Sequence, residues 1–341
     1  MRSVRIRATV LTVSKDRWVV AKGYKLYYYD PNTGKYAYFS SLADTKNRLL
    51  AAMRFTRRLF RAEVTHLYLF QDQTWFCIAR KGIFRYNKES GLFEKCCSVE
   101  RGTRPMNLCQ ASDGSIYYGE YCYNPQKHSM RVFRSRDNGS HWEVAYSFQD
   151  GEINHIHGVF NDPYTGRLWV ATGDDDTACI LGYTEDGFRT FVKEFSGSQL
   201  YRVCVPLFTG DEIIFATDSQ YKQNVIRSID RKTGETKDWQ EIQGSGIYAA
   251  QNGNLMMVST TVEPSGVNMD QSSHLWYSWD GHRWKELISY KKDFLPKTYF
   301  QFGSIRFPNY LEISDRAVYH GRALKRIDGK SVVIPVEELK D

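Results

Sequence analysis

The sequence has no apolar run near the ~20 residues that a helix needs to cross a bilayer. It also has no Cys-x-x-Cys pair. Its cysteines (Cys77, Cys96, Cys97, Cys109, Cys122, Cys179 and Cys204) are odd in number and lie mostly beside aliphatic residues. That spacing excludes a zinc knuckle and offers no disulfide framework, so reduced thiols packing as small hydrophobes are expected. The opening MRSVRIRATVLTVSKDRWVV alternates like a strand and lacks the apolar core of a secretory signal, which predicts a cytoplasmic protein. No phosphate-binding glycine loop, dinucleotide fingerprint or Ser-His-Asp constellation occurs in a suitable strand–helix context. Positive charge is concentrated in one stretch: residues 45–62 carry Lys46, Arg48, Arg54, Arg57, Arg58 and Arg61 with no carboxylate. Such a run is most often a solvated face. No nucleic-acid reader motif accompanies it, so nucleic acid is not expected as a partner.

Aromatic residues are abundant, with 23 Tyr, 19 Phe and 8 Trp, and they suit half-buried pleated surfaces. Internal repetition gives the architecture. RLWVATGDDD (167–176), EIIFATDSQ (212–220) and LMMVSTTVEP (255–264) are apolar strands running into Thr and then an acid. Looser copies end at Glu120, Arg80, Lys22 and His320, and the spacing between copies matches the ~40–50 residues of a propeller blade. Each copy is flanked by Gly- and Asp-bearing turns between further short strands. The expectation is an all-β chain: a single domain over 1–341, a seven-bladed β-propeller of four-stranded antiparallel blades, with six blades as the alternative. Insertions are expected near 43–62 (a short amphipathic helix), 121–130, 264–273 and 289–298. Either SVVIPV (331–336) completes the last blade, or SVRIRATV (3–10) crosses over as its outermost strand.

The stretch FRSRDNGSHWEV places Ser135, Asp137, Gly139 and Trp142 in an S-x-D-x-G-x-x-W turn. This resembles the Asp box, or BNR repeat, of sialidase-like propellers. SWDGHRW (Ser278, Asp280, Gly281, Trp284) and TEDGFRTF (Thr184, Asp186, Gly187, Phe191) look like copies one residue shorter. The resemblance implies a propeller in which such turns are structural and lie on the rim opposite the substrate face. It does not extend to true sialidases, because the Arg-Ile-Pro of that family is missing and RIRA (5–8) replaces it poorly.

In a propeller, second-strand ends and first-strand starts emerge on one face around the axis. Here those places carry Lys22, Arg80, Glu120, Asp174, Asp218, Glu263 and His320, and His155, His157, Arg202, Tyr248 and Gln301. Any one of them is explained by a turn cap or a backbone contact; their convergence in one depression is costly without a ligand. Alternation puts His155 and His157 on the same side of their strand. Three chemistries fit. Paired carboxylates among Glu120, Asp174, Asp218 and Glu263 could cleave a glycoside. His155 or His157 with Tyr248 and Arg202 could abstract a proton beside a uronate carboxylate. His155 and His157 with an acid could hold Mn or Zn, although no cofactor is required by the sequence. Arg202, Arg80, Lys22, Gln301 and His320 are the candidate substrate contacts. The expectation is a glycoside hydrolase or uronate-type polysaccharide lyase acting on an acidic oligo- or polysaccharide. The alternative is a non-catalytic glycan- or protein-binding propeller, since fold alone does not decide function.

Overall fold

The computed structural model describes residues 3–15, 17–43 and 48–340. Four separate four-stranded antiparallel sheets begin at His66, Cys109, His155 and Leu207. A fifth sheet runs through Thr9–Val13, Trp18–Lys22, Lys25–Tyr29 and Tyr36–Ser41, with the short Asn309–Tyr310 added in parallel to its first strand. The largest sheet contains two further runs of four, bridged where Thr261 and Val262 pair with Ser304 and Gly303. One run is Ser245–Asn252, Leu255–Val262, Ser272–Ser278 and Lys285–Lys291. The other is Gly303–Arg306, Arg316–Arg322, Ser331–Pro335 and Val4–Ile6.

The apolar patterning explains the layering. Second strands such as Leu168–Gly173 and Leu255–Val262 are buried at every residue, as expected where both faces of a strand are covered. Outermost strands such as Val192–Ser196 and Lys285–Lys291 are mostly exposed or half-buried. The covering comes from neighbouring sheets. Phe76 and Ile78 pack with Ile116 and Tyr118, while Trp169 packs with Ile213 and Phe215. The series returns on itself, because Val318 and Val333 share a core with Val10 and Trp18. Sheets that each share a core with the next, and a last that meets the first, surround a common axis in a propeller-like arrangement.

Closure uses both candidate segments. Ser331–Pro335 pairs with Arg316–Arg322, and Val4–Ile6 then adds outside it through Val4↔Val333 and Ile6↔Ser331. Ser331 Oγ donates to Ala8 O (2.9 Å) and accepts from Val10 N (2.8 Å), tying the closing sheet to the first.

The polar turns share one hydrogen-bond pattern. Ser135 Oγ donates to Asp137 Oδ1 (2.9 Å) and accepts from Gly139 N (2.8 Å). Asp137 Oδ1 accepts from His141 N (2.8 Å), and Trp142 Nε1 donates to Gly139 O (3.2 Å). A side chain at Gly139 (φ 82°) would collide with Phe76 of the neighbouring sheet. The turn at Ser278 repeats the scheme with one residue fewer, Gly281 N donating to Ser278 Oγ and Trp284 Nε1 to Gly281 O. The turn at Thr184 is not shortened: Phe188 N donates to Thr184 Oγ1 (3.0 Å), so Phe188, at φ 72°, takes the glycine's place.

The basic stretch forms the helix Arg54–Phe60, and part of it turns inward. Arg54 binds Asp328 (2.6 and 2.8 Å) and Glu63 (2.7 Å), while buried Arg58 pairs with Asp293 and donates to Phe300 O (2.8 Å). The expected solvated face is therefore in good part an internal ion network. Lys46 lies outside the described residues. Of the other insertions, 121–130 is irregular, 264–273 reaches the start of Ser272–Ser278, and 289–298 runs into the short helix Lys297–Phe300. All the cysteines are free.

Candidate functional site

Strand Leu168–Gly173 delivers Asp174 directly after its last residue, and Leu255–Val262 delivers Glu263 in the same way. Asp218 follows Glu212–Ala216 by two residues. His155 opens the first strand of its sheet, and the ladder to Leu168–Gly173 slips at His157. Such a bulge re-aims a side chain. The two imidazoles lie together, Nε2 to Nε2 at 3.0 Å. Gly173 makes room for them, since a Cβ there would sit 2.8 Å from His157 Cε1 and 3.2 Å from Arg202 Nε.

Around this pair the polar contacts form a chain. Asp174 Oδ1 lies 3.4 Å from His155 Nε2 and accepts from Arg202 Nη2 at 2.8 Å. Arg202 Nε lies 3.4 Å from Asp218 Oδ2, which accepts from the Cys204 thiol at 3.4 Å. The ring of Tyr121 stands edge-on to His155, centroids 4.7 Å apart. His157 Nδ1 meets the Val203 carbonyl at 2.6 Å. A carbonyl only accepts, so Nδ1 carries the proton and Nε2 presents a lone pair. Burial and the neighbouring His155 push His157 down to about 3, and burial also lowers His155, so both imidazoles are neutral at pH 7. Burial and the Asp218 carboxylate push Glu263 up to about 7. Burial raises Tyr121 and Cys204, which keep their protons.

A second cluster has the opposite charge balance. Arg104, Arg306 and Arg322 lie within electrostatic reach of one another, of Glu63 and of His66 and His320. Glu63 is already shared: Arg322 and Arg54 both bind it, and against burial they hold its carboxyl at about 2. Arg306 lies over the Tyr248 ring at 4.5 Å and bonds Ser304 Oγ at 3.0 Å. Arg104 has no hydrogen-bond or ion-pair partner among the described residues. Burial and Arg322 push Arg104 down to about 10 and Arg306 to about 9.

The structure thus brings together His155, His157, Asp174, Asp218 and Arg202, with Glu263 electrostatically coupled to them. Tyr248 joins the second cluster, its ring lying under Arg306. Other expected residues go elsewhere. Glu120 is buried but saturated, bound by Arg131 (2.8 and 3.2 Å) and Arg101 (3.2 Å) beside a cavity of about 170 Å³ also lined by Tyr118, Tyr121 and Trp142. Lys22 is exposed and stacks on Tyr36 at the outer strand (4.2 Å). Arg80 makes no hydrogen bond or ion pair with the described residues. Gln301 is buried and donates weakly to Arg58 O (3.4 Å). His320 is buried with Nδ1 unpartnered, and its strand runs two residues further to Arg322. Sequence reasoning missed Glu63, His66, Arg104, Arg306, Arg322, Tyr121 and Cys204. The same strand rule would have found His66, which opens the strand His66–Leu69.

No protein-family model and no curated protein matches the sequence. Solved structures do. The chain is similar to an oligogalacturonate lyase in complex with manganese, at 10% identity over 99% of this chain and 92% of that one, with a TM-score of 0.60. It is similar to a chain of the Mitotic Checkpoint Complex, at 10% identity over 98% and 94%, TM-score 0.55. It also matches the GH74 enzyme of Niastella koreensis at 12% identity, TM-score 0.53, over 82% of this chain but only 45% of that one. What is shared is the fold. It hosts carbohydrate-active enzymes and a member of a multiprotein assembly alike, so the site must carry the functional argument.

Proposed function

We propose that this protein is a carbohydrate-active, seven-bladed propeller that cleaves an acidic saccharide at its axis. The observation that carries the reading is the chain His157–His155–Asp174–Arg202–Asp218, buried except for the half-exposed Asp174, whose members come from two neighbouring sheets and the connection between them yet meet through successive polar contacts. The likeness to an oligogalacturonate lyase and a GH74 enzyme supports the same class. The blade count rests on the closed series of inter-sheet cores, and the Asp-box reading rests on the hydrogen-bond scheme common to the turns at Ser135, Thr184 and Ser278.

The donor set fits a divalent ion. His155 Nε2 and His157 Nε2, 3.0 Å apart, would hold the ion together with a neighbouring carboxylate. Ligand atoms of His155, His157 and Asp174 all lie within 4.8 Å of one another, and His157, Cys204 and Asp218 form a second such group. Asp218 Oδ1 is buried without a hydrogen-bond partner. Neutral imidazoles and carboxylates suit Mn or Zn. Such an ion, when bound, supplies Lewis-acid polarisation of a substrate oxygen.

The protein's own groups divide the remaining work. Histidines with depressed basicity are poor proton acceptors but ready ligands, which argues against His155 or His157 as the base. Glu263, protonated near neutrality, donates to the leaving glycosidic oxygen, a requirement of hydrolysis and elimination alike. Asp174 and Asp218, held beside Arg202, are the carboxylates that can activate water or take a proton.

The test is turnover of uronate- and sialate-containing oligosaccharides with Mn, with Zn and with EDTA. New reducing ends are expected, and absorbance of an unsaturated uronate separates elimination from hydrolysis. Binding without turnover under every metal condition would replace this reading with a lectin-like one.

A further inference from the structure

The helix Arg54–Phe60 turns Arg54 and Arg58 inward, yet the same segment holds large apolar side chains out to water. Leu49, Met53, Phe55 and Phe60 are exposed, Leu49 at 86%. The short helix Lys297–Phe300 adds Tyr299, and the turn before it adds Phe294 at 89%. Single exposed apolar residues are ordinary, but a group of them on one body marks a surface that something covers. These two segments are fastened together. Phe55 packs on Phe300 with ring centroids 4.9 Å apart, and Arg58 binds both Asp293 and the Phe300 carbonyl. Thr56 Oγ1 donates to the carbonyls of Leu50 (2.7 Å) and Met53 (3.0 Å), which folds the preceding turn onto the helix. The apolar tips therefore stand on a hydrogen-bonded base.

The charge around them has one sign. Residues 48–61 contain no acid, and the carboxylates of the adjoining 291–300 and 322–330 segments, Asp293 and Asp328, are spent on Arg58 and Arg54. The third segment is joined to the second where Lys325 N donates to Lys291 O (2.9 Å). What faces solvent is Arg48, Arg61, Lys291, Lys297, Lys325 and Arg326, all exposed and none paired with a carboxylate among the described residues. Protein interfaces are depleted in Lys, and a nucleic acid would be served by the cations alone. Protruding Leu and Phe among Lys and Arg match the boundary of a bilayer, where apolar tips enter the acyl layer and cations meet anionic headgroups. The ring and hydroxyl of Tyr299 suit the same depth. We propose that this face, centred on the helices Arg54–Phe60 and Lys297–Phe300, docks the protein on an anionic membrane surface. The proposal stands independently of the reaction inferred above.

The experiment is co-sedimentation of the whole protein with vesicles of phosphatidylcholine alone, and of phosphatidylcholine and phosphatidylglycerol in equal parts, at low and high salt. Wild type should partition at least about tenfold more strongly onto the anionic vesicles at low salt, and salt should weaken it. Leu49→Ser combined with Phe294→Ser, and separately Arg61→Gln combined with Lys297→Gln, should each weaken that partition at least about tenfold. Neither pair should change Tm, because all four side chains are exposed. Lipid brominated in its acyl chains should quench the emission of Phe294→Trp more than that of wild type, which adsorption by charge alone would not produce. Absence of partition onto anionic vesicles overturns the proposal, as does partition that both double variants retain, or equal quenching of Phe294→Trp and wild type. Self-association that Leu49→Ser with Phe294→Ser abolishes, without vesicle binding, would assign the face to a second copy of this chain instead. Tighter binding of a single-stranded oligonucleotide than of the vesicles would assign it to nucleic acid.

Discussion

The two clusters are built from the same kinds of side chain but balanced in opposite ways. Around His155 and His157, one arginine is clamped between two aspartates, and a further acid, Glu263, is kept partly protonated by burial and by Asp218. Around Glu63, one carboxylate serves two arginines while two more stand without an acid. The first region has more carboxylates than guanidinium groups and leaves lone pairs over. The second leaves positive charge over. Ionisable residues alone do not mark a site; the sign of the charge that remains after internal pairing is what distinguishes the two regions.

The comparison can be broken most strongly at His157. His157→Ala should cut turnover of an acidic saccharide at least about 100-fold and abolish stoichiometric Mn or Zn binding by metal analysis. Unchanged metal content would show that the imidazole pair is only packing. Next in size is Glu63→Gln, which strands Arg322 in the interior, leaves Arg54 only Asp328, and should cost about 3–5 kcal/mol in urea denaturation. A loss under about 1 kcal/mol would mean the second cluster is not held together by that carboxylate.

A pH-dependent effect is smaller and has a defined sign. The Glu263 carboxyl moves from an ordinary 4.5 to about 7 on folding. Between those values the folded chain holds a proton that the unfolded chain has released, so this group's contribution declines as pH rises and stays reduced above about 7. Glu263→Gln should therefore match wild type at low pH but exceed its stability near pH 8 by of order 1–3 kcal/mol, while activity falls. Equal stability at both pH values would place Glu263 in solvent. The smallest effect belongs to the turns. Asp137→Ala removes acceptors for His141 N and Ser135 Oγ, so a slightly lower Tm with unchanged kcat/KM is expected. A large loss of activity would contradict a purely structural turn.

Much of this was legible in the chain. Apolar strands ending in one polar residue gave Asp174, Asp218 and Glu263, and alternation gave the facing imidazoles. Glu120 obeyed the same rule but met Arg131 and Arg101, partners that no strand period announces. The basic stretch was misread because its compensating acids are remote: Asp293 and Asp328 lie 235 and 274 positions from the arginines they bind. Arg104 and Glu63 sit in connections between sheets, where no repeat marks a position. The turn at Thr184 looked short because glycine was taken as its landmark, whereas Phe188 adopts the left-handed backbone itself.

The clasp between Val4–Ile6 and Ser331–Pro335 has a consequence for how the molecule is made. Its first strand finds no partner until more than three hundred further residues have been synthesised. Contacts of such sequence separation are slow to form, because loop-closure entropy must be overcome first. Until Ser331–Pro335 has been synthesised, Val4–Ile6 stays unpaired and the closing sheet lacks two of its strands.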